Sequence, residues 1–195
     1  MHRPISTIMV RLALPLALLA MGSASAQAPA SPLPAMSVDE CAVWARELGF
    51  AQSVADHDPV AFASHLHPDA AFGASRASPT RGRDAITRRW AGIIEGKSVA
   101  LAWYPARVTI GPVALATASA DPAADIAWSS GPALFEDLDP DAKVRHTLST
   151  FHSVWHRGAD RVWRVLFDDG SEPRPATQAE IAAFHAGRPA ACPRR

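Results

Sequence analysis

Residues 145 to 170 read RHTLSTFHSVWHRGADRVWRVLFDDG. Large apolar residues recur there with a period of two, the repeat of a pleated strand rather than of a helix. Gly158-Ala159-Asp160 breaks the run with a tight connection. The stretch is therefore a hairpin, with strands expected over Arg145 to His156 and Arg161 to Phe167. The alternation sets Phe151, Ser153 and Trp155 on one face of the first strand, and Trp163, Val165 and Phe167 on one face of the second.

Upstream, β-forming residues dominate Val99 to Ile110 and Ile126 to Phe135, residues 113 to 120 are a further strand candidate, and Leu138 to Ala142 reads as a polar turn. Before Val99 the period is that of a helix. Ser37-Val38-Asp39-Glu40 spells a capping box, followed by Trp44, Leu48, Ala51 and Ala55 at helical spacing to a stop near His57. Asp58-Pro59 opens a second short helix with Phe62 and Leu66 inward, and Pro68 is expected to stop it. Ala70 to Ala74 is a short strand candidate. A loop over Ser75 to Arg83 precedes a third helix, Asp84 to Glu95, with Ile86, Trp90 and Ile93 on one face and Gly96 beyond its end. A second capping box, Thr177 to Glu180, starts a small C-terminal helix. Helices first and strands after make an α+β chain, with the helices on one face of an antiparallel sheet.

Specific words within this order resemble a known superfamily. They are Ala55-Asp56-His57-Asp58 with Phe62; His67-Pro68-Asp69-Ala70-Ala71-Phe72; Gly82-Arg83-Asp84-Ala85-Ile86 with Trp90; Trp103-Tyr104-Pro105; Asp125 to Pro132; Thr150 to Trp155; and Trp163 to Gly170. Together they cover about residues 38 to 173 and resemble the nuclear transport factor 2-like, SnoaL-like and ketosteroid isomerase-like superfamily, in its secreted branch of unknown function. The resemblance implies a cone whose three N-terminal helices and curved sheet enclose an apolar pocket, often in a homodimer paired through the sheets. It does not fix the chemistry, because one fold carries many functions.

The first 26 residues read as a leader. Arg3 and Arg11 flank or open the apolar run Leu12 to Met21, and Ala24-Ser25-Ala26 has the small-x-small pattern of signal peptidase cleavage. The run is too short to span a bilayer. Cleavage leaves 169 residues with 17 basic and 19 acidic side chains, a net charge of −2. Residues 27 to 36 form a flexible linker, residues 37–173 the cone and residues 174–195 a C-terminal helix and tail. Such a chain has no basic cluster to hold nucleic acid or, once the leader is gone, a membrane. A periplasmic or secreted bacterial protein is expected. Cys41 and Cys192 are an even pair in an exported chain, which points to a disulfide; two separate thiols, one in a helix face and one in the tail, are the alternative.

The resemblance to ketosteroid isomerase implies a helix-1 tyrosine and a protonated aspartate that hold an oxyanion, and a second aspartate that moves the proton. By position these fall at Phe50, at Ser149 or His152, and at Ala74, so none is retained. His65-x-His67-x-Asp69 has the opening letters of a metallo-hydrolase motif but lacks its last histidine, and its residues straddle Pro68, so no metal site and no cofactor are expected. His152 and His156 lie too far apart along one strand to chelate an ion alone. Serine nucleophiles lack an elbow motif. What remains is a ligand pocket lined by Trp90, Trp103, Ser130, Phe151, Ser153, Trp155 and Asp168, with Trp44 nearby. Asp168 is the candidate acid, at a strand end by the mouth of the cone. The leading reading is an exported cone that binds a small apolar molecule without demonstrable catalysis. An isomerase, lyase or hydrolase using Asp168 and a pocket histidine is the second, and a dimeric interaction module with a vestigial pocket the third.

Overall fold

The computed structural model describes Leu33, residues 35–111 and residues 126–194. The leader and the strand candidate at residues 113–120 lie outside the described residues.

Helix α1 spans Val38–Ala55 and starts at the expected capping box, with the Ser37 amide donating to Glu40 Oε2 (2.7 Å) and the Glu40 amide to Ser37 Oγ (3.2 Å). Its buried face differs from the one the spacing suggested. Trp44, Glu47, Ala51 and Val54 are buried, whereas Leu48 is half-buried and Ala55 exposed. The helix is rotated so that an acid occupies the place a leucine was expected to fill. Helix α2, Pro59–Ser64, is capped by the Asp58 carboxylate and ends earlier than expected. Pro68 does not terminate it but lies within strand β1, Leu66–Phe72. A proline fits there because the ladder with β7 is interrupted between Leu66 and Ala71, where no donor is needed.

After strand β2 (Thr80–Arg81) and helix α3 (Arg83–Ile94), the expected strand Val99 to Ile110 is two, β3 (Val99–Trp103) and β4 (Arg107–Ile110). Pro105 supplies no amide, and the chain from Tyr104 to Ala106 instead crosses Gly131, where any side chain would strike the Tyr104 carbonyl. Strands β5 (Ile126–Asp137), β6 (His146–Arg157), β7 (Trp163–Gly170) and β8 (Arg174–Pro175) follow, then helix α4 (Gln178–Ala186). The sheet runs β2-β1-β7-β6-β5-β3, with β4 also on β5 and β8 on β6. It is antiparallel except for β1 beside β7, which is parallel. The sheet curls into a half-barrel around the helices, giving an α+β cone.

One irregularity positions the site. Trp155 pairs with Val165, but Val154 pairs with Phe167, so β7 carries an extra residue, Leu166, as a β-bulge. Beyond it the phase reverses. Phe167 turns outward, 40% exposed, instead of sharing the face of Trp163 and Val165, and Asp168 comes to stand beside Ser153 on the inner face.

The tail is fastened to the body. Cys41 and Cys192 form a disulfide (Cα–Cα 5.7 Å), and the Met36 amide donates to the Pro193 carbonyl (2.6 Å). Closing a loop of 151 residues is worth about 5 kcal/mol on chain-entropy grounds. Phe184 of α4 packs on Tyr104, ring centroids 5.0 Å apart, so the extra helix covers the β3–β4 crossing.

Candidate functional site

The cone encloses a cavity of about 420 Å³. Its walls are Phe50 of α1, Phe72 of β1, Trp90 and Ile93 of α3, Leu101 and Trp103 of β3, Phe135 of β5 and Phe151 of β6. Alternation along each strand and the i, i+3 spacing of α3 turn these side chains inward. Polar groups enter at one side: Asp168 and Asp169 at the end of β7, Ser149, Ser171 and Thr80, and the guanidinium groups of Arg76 and Arg89. Burial pushes the Asp169 carboxyl upward, but the Ser75 amide (2.6 Å) and Arg76 prevail and hold it below the usual carboxylate range. It is an anion at the rim.

Behind the cavity wall lies Glu47, with no exposed surface. Trp103 Nε1 donates to its Oε1 (2.7 Å), and Ser129 Oγ (2.5 Å) and Trp155 Nε1 (3.1 Å) donate to its Oε2. Trp155 Nε1 also reaches Ser129 Oγ at 2.9 Å. Ser129 and Ser153 are register partners on β5 and β6, so their hydroxyls share a face. Ser153 Oγ donates to Asp168 Oδ2 (2.9 Å) and lies close enough to Glu47 to act on its carboxyl. Burial raises the Glu47 carboxyl above the ordinary range, against the pull of Ser129, Trp103 and Trp155 and of the nearby Ser153 hydroxyl. Asp168 is raised well above its usual value, first by burial and then by the charge of Glu47, with Asp169 adding to the effect and the Ser153 hydroxyl opposing it. This setting favours the protonated, hydrogen-bond-donating form of the Asp168 carboxyl over its anion, relative to a carboxyl in water.

The structure brings most of the sequence candidates together. Trp90, Trp103, Phe151 and Asp168 line the cavity. Ser153 and Trp155 sit one layer behind it, on the two carboxyls. Ser130 lies on the opposite face of the sheet, paired with His152, and the inward hydroxyl is that of its neighbour Ser129. Trp44 is buried in the core. Phe50 and Ser149, which stand where the isomerase tyrosine and oxyanion aspartate were expected, both line the cavity. Among the described residues no histidine does. His65 packs on Phe50 (5.6 Å), His67 on His156 (5.3 Å) and His152 on Trp128 (5.6 Å). His67 Nδ1 accepts from the Asp69 amide (3.1 Å), while His65 turns away to Phe50.

Glu47 was not among the sequence candidates. Its only signal is an acid at i+3 from Trp44 and i−3 from Phe50, within an otherwise apolar helical stripe.

Solved structures share this arrangement of helices and curled sheet. A ketosteroid isomerase-like protein from Erwinia carotovora atroseptica superimposes with a TM-score of 0.52 at 14% identity, covering 70% of this chain and 97% of that one. A scytalone dehydratase-like protein from Novosphingobium aromaticivorans gives 0.55 at 12% identity over 72% and 89% of the two chains. The fold is that of the nuclear transport factor 2-like superfamily. A nuclear transport factor 2-like protein of unknown function from Pseudomonas putida also matches, with a TM-score of 0.52 at 16% identity over 72% and 90% of the chains. No protein-family model and no curated protein matches the sequence. At these identities the likeness is one of fold, and the chemistry has to come from the residues of this cone.

Proposed function

We propose that this nuclear transport factor 2-like cone binds a small, largely apolar molecule and meets its one polar atom, a carbonyl or hydroxyl oxygen, with the Asp168 carboxyl. The observation that carries this reading is a cavity of about 420 Å³ walled by aromatic rings, with a carboxyl raised well above its usual value on its inner wall. Such a pocket suits an apolar body and one hydrogen bond that orients it. The cavity is open space, where a vestigial pocket would be filled by side chains. The disulfide supports export into an oxidising compartment.

Acid–base catalysis is the second reading, favoured by two carboxyls close together, one fully buried and one on the cavity wall. The neighbours described as ketosteroid isomerase-like and scytalone dehydratase-like are compatible with it. In this chain the partner of Asp168 is Glu47, not a histidine.

Native mass spectrometry of the mature protein purified from its own host tests the reading by revealing a retained small molecule, with quenching of Trp90 and Trp103 fluorescence as the titration signal. Asp168→Ala is expected to weaken an oxygen-bearing ligand about tenfold, the worth of one buried hydrogen bond. Asp168→Asn keeps a donor and should bind nearly as well while abolishing any turnover. A chain that stays empty against a broad panel of hydrophobic molecules overturns the proposal.

A further inference from the structure

The fully buried Glu47 carboxyl and the half-buried Asp168 carboxyl lie near one another, and a single hydroxyl stands between them. Ser153 Oγ is 2.9 Å from Asp168 Oδ2 and lies close enough to Glu47 to act on its carboxyl, while the other side chains that hydrogen-bond Glu47 among the described residues are donors: two indole N–H groups and the Ser129 hydroxyl. Indoles only donate, so they solvate a carboxylate. Two carboxylates so placed cannot both ionise cheaply, because each raises the other in a medium of low dielectric constant. The other charges facing Asp168 are Asp169 on β7, Arg76 in the loop after β1 and Arg89 on α3, all at the cavity rim.

We propose that Glu47, Ser153 and Asp168 form a relay that holds one proton, passed by Ser153 between the inner carboxyl and the one that faces the ligand. In one state Asp168 O–H donates to Ser153 Oγ, and the Ser153 hydroxyl donates to the Glu47 carboxylate. Transfer moves the Ser153 hydrogen to Glu47 and the Asp168 hydrogen to Ser153. Glu47 becomes the acid and Asp168 the carboxylate, now accepting from Ser153, and the net charge is unchanged. The relay thus lets one pocket-facing residue present either an acid or a base without exchange with solvent. Glu47 and Ser153 are positioning residues that act through Asp168. The inference deepens the acid–base reading of this site, and it rests on Asp168 facing the ligand as proposed above.

Infrared difference spectroscopy of the mature, ligand-free protein across a pH titration tests it, so the outcome does not depend on finding a ligand. The wild type should show protonated-carboxyl absorption from two different groups that together account for one proton. Glu47→Gln and Asp168→Asn should each remove one contribution and shift the titration of the other downward. Ser153→Ala, a small change, should leave a single contribution because the hydroxyl that balances the two carboxyls against each other is lost and the proton settles on one of them. A wild-type band that Asp168→Asn removes entirely and that Glu47→Gln and Ser153→Ala leave unchanged would overturn the relay. So would two carboxyls that titrate independently. If Glu47→Gln fails to fold, the other two variants decide between the same outcomes.

Discussion

Adjacent residues of β5 and β6 end in two different environments. On the inner face Ser129, Ser153 and Trp155 are fully buried, and their polar atoms are committed to Glu47 and Asp168. On the outer face Trp128 is 37% exposed and stacks on His152. Both faces carry aromatic rings and hydroxyls, so composition cannot tell them apart. What separates them is hydrogen-bond completion: inside, burial makes an unpaired polar atom costly and the side chains around Glu47 form a closed network, while on the outer face His152 Nδ1 is left without a hydrogen-bond partner. The site is therefore a property of phase along the strand, and a bulge of one residue in β7 is enough to bring an acid into it.

The sharpest way to break the inner face is at Gly131. A Cβ there would press on the Tyr104 carbonyl and lie 2.9 Å from the Ala106 nitrogen and 3.0 Å from Phe151 Cε1. The first two are backbone atoms and cannot rotate away. Gly131→Val should cost more than about 4 kcal/mol, the range of severe steric lesions, seen as loss of a cooperative urea transition. A variant that unfolds at wild-type urea concentration would show that the β3–β4 crossing is not packed as described.

The inner ionisable groups should also set the pH dependence of stability, with opposite signs. Burial, helped by the Arg46 guanidinium, lowers the His65 ring from 6.5 to about 4. Between those values the unfolded chain binds more protons than the folded one. Stability is therefore full above about pH 6.5, declines as pH falls and levels off near pH 4. The limit is about 3 kcal/mol, reduced by solvent screening of the ring. Glu47 and Asp168 are raised, so the folded state holds their protons longer; their contribution is intact below the ordinary carboxyl range and declines as pH rises through their folded values. Urea unfolding across pH should show the acid limb flattened in His65→Gln and the alkaline limb flattened in Asp168→Asn. Unchanged limbs would mean that these groups titrate alike in the folded and unfolded chains.

The elements themselves were legible because local rules agree with the fold at most of them. Both capping boxes form, Asp58 caps α2, and the hairpin of β6 and β7 turns near Gly158. The failures share one physical cause, which is that a tertiary partner decided the phase. Leu166 bulges because β7 pairs with β6 on one side and in parallel with β1 on the other, and no residue in that strand announces it. The same blindness placed Phe167 inside and chose Ser130 over Ser129. Glu47 reads as a solvated helical acid until two indoles and a serine from strands far along the chain converge on it. Asp168 was recognisable from its place at a strand end, but its partner was not.

The finest test of the two faces uses neighbours that differ by a single step along β5. Ser129→Ala removes a hydroxyl that donates to Glu47 Oε2 and accepts from Trp155 Nε1, at a fully buried position. It should cost about 1–2 kcal/mol in urea unfolding, because a buried acceptor loses its donor. Ser130→Ala removes a hydroxyl from the outer face, where solvent replaces it, and should stay within about 0.5 kcal/mol of the wild type. Because the substitution is the same and the positions adjacent, helix or strand propensity and lost volume cancel in the comparison. Equal costs would mean that the phase of β5 is not the one that carries Ser129 to Glu47, and the carboxyl network would lose its scaffold.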